Sequence, residues 1–148
     1  MEDVISTTPW EWMIPYQLGF LRGQQFSEAF TEAYDIRPTS TAATAYGIVY
    51  AYKEAVERAG TTDTQALIKA LEGHEYTLLK DRQQWRAFDH QNLQTIYVVR
   101  SKKREEVVSD RLRSDFFEVI GSLSGEEAAQ TFAQWRAERE AANKPPHL

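Results

Sequence analysis

The chain has no cysteine, and that absence removes disulfides, thiolate metal ligands and cysteine nucleophiles together. Histidine is scarce. His74, His90 and His147 are scattered, without the spacing of a metal-binding pair such as HExxH. Phosphate-cradling glycine loops and a GxSxG nucleophile are missing too, so no catalytic residue, metal or cofactor is expected. Positive charge is short: 17 Lys and Arg face 22 Asp and Glu, a formal net charge of -5. A nucleic-acid or anionic-membrane surface would draw on most of those cations, and neither is expected as a partner. No run reaches the roughly 18 apolar residues that cross a bilayer. The opening MEDVISTTPW lacks the basic-then-apolar order of a signal peptide, so no export signal is expected in the chain as read.

What is present suits one globular domain of 148 residues, 42% apolar and 12% aromatic. The longest patterned stretch runs from Pro38 to Gly60. Proline biases the preceding residue away from the α region, Thr39 or Ser40 can cap the first free N–H groups, and Gly60 supplies the stop. Ala45, Val49, Tyr52, Val56 and Ala59, widened by Ala42 and Tyr46, recur at helical intervals and predict the buried stripe; Lys53, Glu54, Glu57 and Arg58 take the other side. The N-terminal half is almost all small residues, which lets another backbone or a ligand approach closely.

In chain order, Val4 and Ile5 suggest a brief strand ended by Pro9. Trp10 to Tyr16 crowds aromatics between Pro9 and Pro15 and is predicted to be a loop, its tryptophans either closing a core or flooring a cleft. Phe26, Ala29, Phe30 and Ala33 mark a second helix ending near Tyr34. Thr62 with Gln65 reads as a capping box opening a third helix that Gly73 closes. Tyr76–Leu79 and Gln84–Phe88 read as a hairpin around a polar Lys80-Asp81-Arg82 turn. Ile96 to Val99 is apolar on both faces, as in a strand inside a sheet. The charged 102–113 stretch is predicted to be a solvated loop, and Phe116–Ile120 fits helix or strand. Ser124 and Glu127 form a capping box that opens a helix carrying Ala128, Phe132 and Trp135.

Asp89-His90-Gln91 is the one cluster that looks chemical. Neighbours on an extended segment point to opposite faces, so Asp89 and His90 are poorly placed as a base and its orienter, and a hydrolase reading has no nucleophile to go with them.

Several of these segments, taken together, resemble a known family. The small-residue approach to Ala45-Tyr46, the helix ending EAVERAG, Thr62 and Asp63 opening the next helix, ALEG at 70–73 and WRAFDHQ at 85–91 before a strand stand in the order found in type I periplasmic solute-binding proteins of branched-chain amino acid and amide ABC transporters. TPWEW is similar to that family's aromatic stretch. The resemblance implies an α/β fold: part of a Rossmann-like periplasmic-binding-protein lobe, helix-rich, with a hairpin and a buried strand. Residues 1–120 would be the C-terminal part of that fold, and 121–148 a C-terminal helix and tail. It implies a non-enzymatic solute-binding component, periplasmic or extracellular in full-length form, with a transporter permease as partner and an amino acid or amide as solute. The groups that hold the solute's carboxylate and ammonium would lie in a part not contained in this chain, which would supply one wall: Trp10, Trp12, Thr41, Ala42 and Tyr46. Asp89, His90 and Gln91 would be hinge residues. A lobe cut through its sheet would leave apolar area uncovered, and self-association is expected. The alternative is a small oligomerisation domain that reuses this segment.

Overall fold

The computed structural model describes residues 3–147. Its elements are β1 (Ile5–Thr8), α1 (Ile14–Leu18), α2 (Leu21–Tyr34), α3 (Ser40–Ala59), α4 (Thr64–Leu71), β2 (Glu75–Tyr76), β3 (Gln83–Trp85), β4 (Asn92–Leu93), β5 (Ile96–Ser101), α5 (Arg104–Ser109), β6 (Phe117–Leu123), α6 (Gly125–Ala128) and α7 (Phe132–Ala141). The strands form two antiparallel sheets, β1-β5-β6 and β2-β3-β4. As expected, β5 is the central strand of the first, with Tyr97 and Val99 buried.

Local signals set the ends of the central helix. Thr39 accepts from the Ala42 N–H, and Gly60 closes α3 in the left-handed region with φ of 65°. The buried face is not the predicted one. Val49 and Tyr52 are exposed, as is Ala45, and the chain buries Ala43, Ala51 and Ala55 instead, with half-buried Gly47 completing the four-residue spacing. On this face Ala43 packs with Trp10, Leu78 and Leu79, and Gly47 leaves open space beside Leu78, while Val49 and Tyr52 meet solvent. Similarly, α2 buries Gly23 and Ser27, while Ala29 and Ala33 stay exposed.

Several further expectations are corrected. The proline-bound aromatic stretch contains a helix, α1, because Pro15 sits at its first turn, where no N–H is required. Asp63, not Thr62, caps α4. The charged 102–113 stretch contains the short helix α5, and Phe117–Leu123 is a strand. The Ser124–Glu127 capping box forms, but its helix ends at Ala128, and a second box at Thr131 and Gln134 opens α7. The hairpin exists with shorter strands, and Lys80 is buried in the loop before β3 rather than solvated at a turn.

Two apolar cores result. Trp10, Ala43, Leu78 and Leu79 form one, ringed by Phe26, Tyr46 and Tyr50; Met13, Ile14, Tyr97 and Val99 form the other. Trp12 packs against both. The second sheet carries the tail: Phe88, in the β3–β4 turn, meets Phe132 and Trp135 of α7 at ring distances of 5.0 and 6.2 Å.

Candidate functional site

Between α3 and the loop preceding β3 lies an open cleft of about 150 Å³. Ala43, Gly47, Trp10, Leu78, Lys80 and Trp85 are among the residues that line it. The small helix residues make the room: a methyl group placed on Gly47 would come no nearer than 3.9 Å to Leu78. Trp10 is fixed where the chain leaves β1, because Thr8 Oγ1 accepts from the Trp10 N–H at 3.4 Å and donates to the Trp10 carbonyl at 2.9 Å. Asn92 donates to the Tyr76 hydroxyl at 2.9 Å, which fixes a second polar group on the rim. The indole Nε1 atoms of Trp10 and Trp85 are buried without a hydrogen-bond partner among the described residues. Both atoms are closed off from solvent, so the two rings meet the cleft through their carbon surfaces.

Lys80 is the charged group of this region and is only 2% exposed. Its ammonium donates to the Pro9 carbonyl at 2.7 Å and to the Thr95 carbonyl at 2.6 Å, and stands 5.1 Å from the centre of the Tyr97 ring. Burial lowers its pKa to about 8, an effect that the neighbouring Asp81 carboxylate partly offsets. Asp81 in turn accepts from Thr95 Oγ1 and, at 3.4 Å, from the Tyr97 hydroxyl. Burial, reinforced by Asp81, raises the Tyr97 phenol above its ordinary range.

Of the five residues expected to meet a solute, Trp10 lines the cleft. Thr41 and Ala42 lie in the first turn of α3, just before the lining residues Ala43 and Thr44. Tyr46 stacks between Phe26 and Tyr50, at ring distances of 4.9 and 4.5 Å. Trp12 donates its indole N–H to the Ser114 carbonyl and carries the Arg37 guanidinium 4.0 Å above its ring. Asp89, His90 and Gln91 occupy the turn between β3 and β4. Asp89 pairs with Arg86, Gln91 accepts from the same guanidinium at 2.8 Å, and His90 Nε2 lies 3.0 Å from Glu72 Oε1. Asp89 and His90 thus face different partners, and the chain passes to β5 through Gln94 and Thr95.

Sequence reasoning missed Lys80, Gly47 and Trp85. For Lys80 a signal existed in its apolar flank, Leu78-Leu79, and for Trp85 in the WRAFDHQ motif that it opens; for Gly47 there was none beyond residue type. Among the described residues, no His, Asp and Glu group could hold a metal ion and no helix is long and apolar enough to cross a membrane.

The family profile described as periplasmic binding protein matches residues 1–106. The fold is similar to that of a branched chain amino acid ABC transporter periplasmic ligand-binding protein from Burkholderia xenovorans, with 20% identity and a TM-score of 0.77 over 90% of this chain and 34% of that one. It is also similar to an ABC-type branched-chain amino acid transporter protein from Rhodopseudomonas palustris, with 25% identity and a TM-score of 0.70 over 85% and 32% of the two chains. A third similar structure is the leucine-, isoleucine-, valine-, threonine- and alanine-binding protein from Brucella ovis in its closed conformation, at 18% identity and a TM-score of 0.69 over 88% and 33%. The chain spans about a third of the length of these structures. No curated protein matches it.

Proposed function

The chain belongs to the periplasmic binding protein family, and on that premise we propose that it is the C-terminal portion of a solute-binding component of an ABC importer for branched-chain amino acids or related small amides. It binds and releases without chemistry, works in the periplasm or outside the cell, and delivers to a membrane permease. The observation that carries this reading is the place of the cleft, between the segment leaving β1 and the segment entering β5, with Pro9, Trp10 and Gln94 on its lining. Those are the strands by which the chain passes between its two sheets. Aliphatic Leu78 and the small residues Ala43 and Gly47 suit a branched aliphatic side chain, and the amide side chains of Gln83 and Gln94 on the lining suit a carboxylate or amide group. In this reading Trp10 and the start of α3, Thr41 and Ala42, form one wall of a two-walled site. Tyr46 and Trp12 support that wall from behind. Asp89, His90 and Gln91 brace the turn that precedes the crossing into β5.

The test is calorimetry on the 148-residue chain with leucine, isoleucine, valine and a short amide. One wall supplies part of the contacts, so saturable binding in the millimolar range is expected, equivalent to ~4 kcal/mol. Gly47→Leu, which fills the cleft, should remove it. A micromolar Kd would show a complete site and overturn the one-wall reading. No saturable binding by any of these solutes would overturn the cleft as a solute wall.

A second reading, a self-associating interaction domain, is favoured by one observation: Ile48, Val49 and Tyr52 form an exposed apolar face on α3. Light scattering over a concentration series separates the two, since a clean monomer at high concentration rules the second out.

A further inference from the structure

We propose that Lys80 is the positioning residue of the cleft, its buried ammonium tying the segment that leaves β1 to the segment that enters β5 so that Trp10 and Gln94 are held on one lining. Pro9 and Thr95, its two acceptors, are 86 positions apart in sequence and belong to the two connections between the sheets. Each acceptor adjoins a cleft residue: Pro9 precedes Trp10, and Thr95 follows Gln94. Lys80 itself follows Leu79, which belongs to the first core, and stands over Tyr97, which belongs to the second. The side chain therefore reaches both connections and the second core, and the residue before it belongs to the first.

The choice of lysine has a physical reason. Two backbone carbonyls that meet at a junction between sheets have no strand partner there, and each needs a donor. An ammonium offers three donors on a flexible stem, so it satisfies both carbonyls and turns its remaining face to an aromatic ring. A hydrocarbon of the same length would bury both carbonyls unsatisfied. Asp81 adds a one-sided counterpart, since it accepts from Thr95 Oγ1 and the Tyr97 hydroxyl and, among the described residues, makes no hydrogen bond on the Pro9 side. Lys80 thus fixes two connections, whereas Asp81 fixes one.

That asymmetry gives the test, hydrogen exchange read by mass spectrometry on Lys80→Met and Asp81→Asn. The proposal builds on the cleft as a solute wall, but exchange is measured without any solute, so its failure leaves that reading standing. Lys80→Met should speed exchange at Trp10–Trp12 and at Gln94–Ile96 by about tenfold or more, while the interiors of α3 and β5 keep their protection. Asp81→Asn, whose single amide oxygen can replace only one of the two carboxylate acceptors, should speed exchange at Gln94–Ile96 alone, and by less. Lys80→Gln, which keeps a donor, takes the place of Lys80→Met should the latter not fold, and the same pattern is expected at reduced amplitude. Unchanged exchange at both segments overturns the proposal. Equal loss of protection throughout α3 and β5 also overturns it, because Lys80 would then serve the fold as a whole.

Discussion

Arg86 and Asp89, three residues apart around the β3–β4 turn, form an ion pair whose side chains are only 13% and 5% exposed. Arg86 Nε donates to Asp89 Oδ1 at 2.9 Å, and Nη1 of the same guanidinium reaches the Gln130 carbonyl at 2.7 Å, just before α7. The guanidinium also lies 4.2 Å from the centre of the Phe88 ring, which packs on Phe132 and Trp135. One arginine thus shapes the turn and docks the tail.

Arg86→Ala is accordingly expected to destabilise the chain by about 1–3 kcal/mol, since it leaves a partly buried carboxylate with only the Gln91 N–H as a donor and frees the Gln130 carbonyl. Burial alone would push Asp89 upward, but the Arg86 guanidinium and the Gln91 N–H outweigh it and hold its pKa below the ordinary value. A carboxylate depressed in the folded state stabilises above its unfolded pKa, and that contribution is lost as pH falls below 3.8. Urea melts at neutral pH and in acid check both: the variant should melt earlier, and its acid sensitivity should be shallower than that of the parent.

Two helical glycines should respond with opposite signs. A Cβ on Gly23 would lie 2.2 Å from the Leu79 carbonyl oxygen and 2.6 Å from Pro15 Cγ, so Gly23→Ala forces α2 away from the loop and should cost several kcal/mol, on the order of 3. Gly47 has open space, and Gly47→Ala should stabilise by about 0.5–1 kcal/mol through helix propensity. Thermal melts on the pair are sufficient, and equal shifts would contradict the close approach at Gly23.

The two faces of α3 make a third contrast. Ala55 is 1% exposed and Val49 is 66% exposed. Ala55→Asp places a charge in the core and should cost at least ~3 kcal/mol of a total near 5–15 kcal/mol, whereas Val49→Asp should change stability by no more than about 0.5 kcal/mol. Circular dichroism melts that reverse this order would restore the face the apolar pattern predicts.

Stability should rise with pH just above neutrality. Lys80 titrates at about 8 in the fold, against 10.5 as its ordinary value, so between these limits the unfolded chain binds more protons than the folded one. The penalty for burying the charge is fully present below about 8 and is relieved as pH rises through it, by an amount on the order of 2–3 kcal/mol by pH ~10. Asp81 and Tyr97 face the ammonium. The Tyr97 phenol keeps its proton in the fold beyond the point where the unfolded chain loses it, so the gain reverses above pH 10. Denaturant midpoints at pH 7.5 and 9.5 should therefore separate in the parent and coincide in Lys80→Met.

The sequence by itself determined the elements whose signals are local. Pro38 and Gly60 bounded α3, an unbroken apolar run marked β5, and Ser124 with Glu127 announced a helix start, because caps, stops and contiguous burial act within a few residues. The ordered motifs carried the family resemblance for the same reason. Trp10 alone, of the five solute-facing candidates, is on the lining of the cleft, since the facing of Thr41, Ala42 and Tyr46 on α3 and the packing of Trp12 on Arg37 are set by residues distant in sequence or by neighbouring segments. Only the tertiary structure decided that Ala43, Ala51 and Ala55 would be buried in preference to Val49 and Tyr52: the residues that cover Ala43, namely Trp10, Leu78 and Leu79, come from distant parts of the chain, and apolar pattern weights only the largest side chains. Lys80 is the sharpest case. A charged residue beside aspartate and arginine reads as a solvated turn until two carbonyls from distant parts of the chain converge on it, and that convergence exists only in the folded molecule.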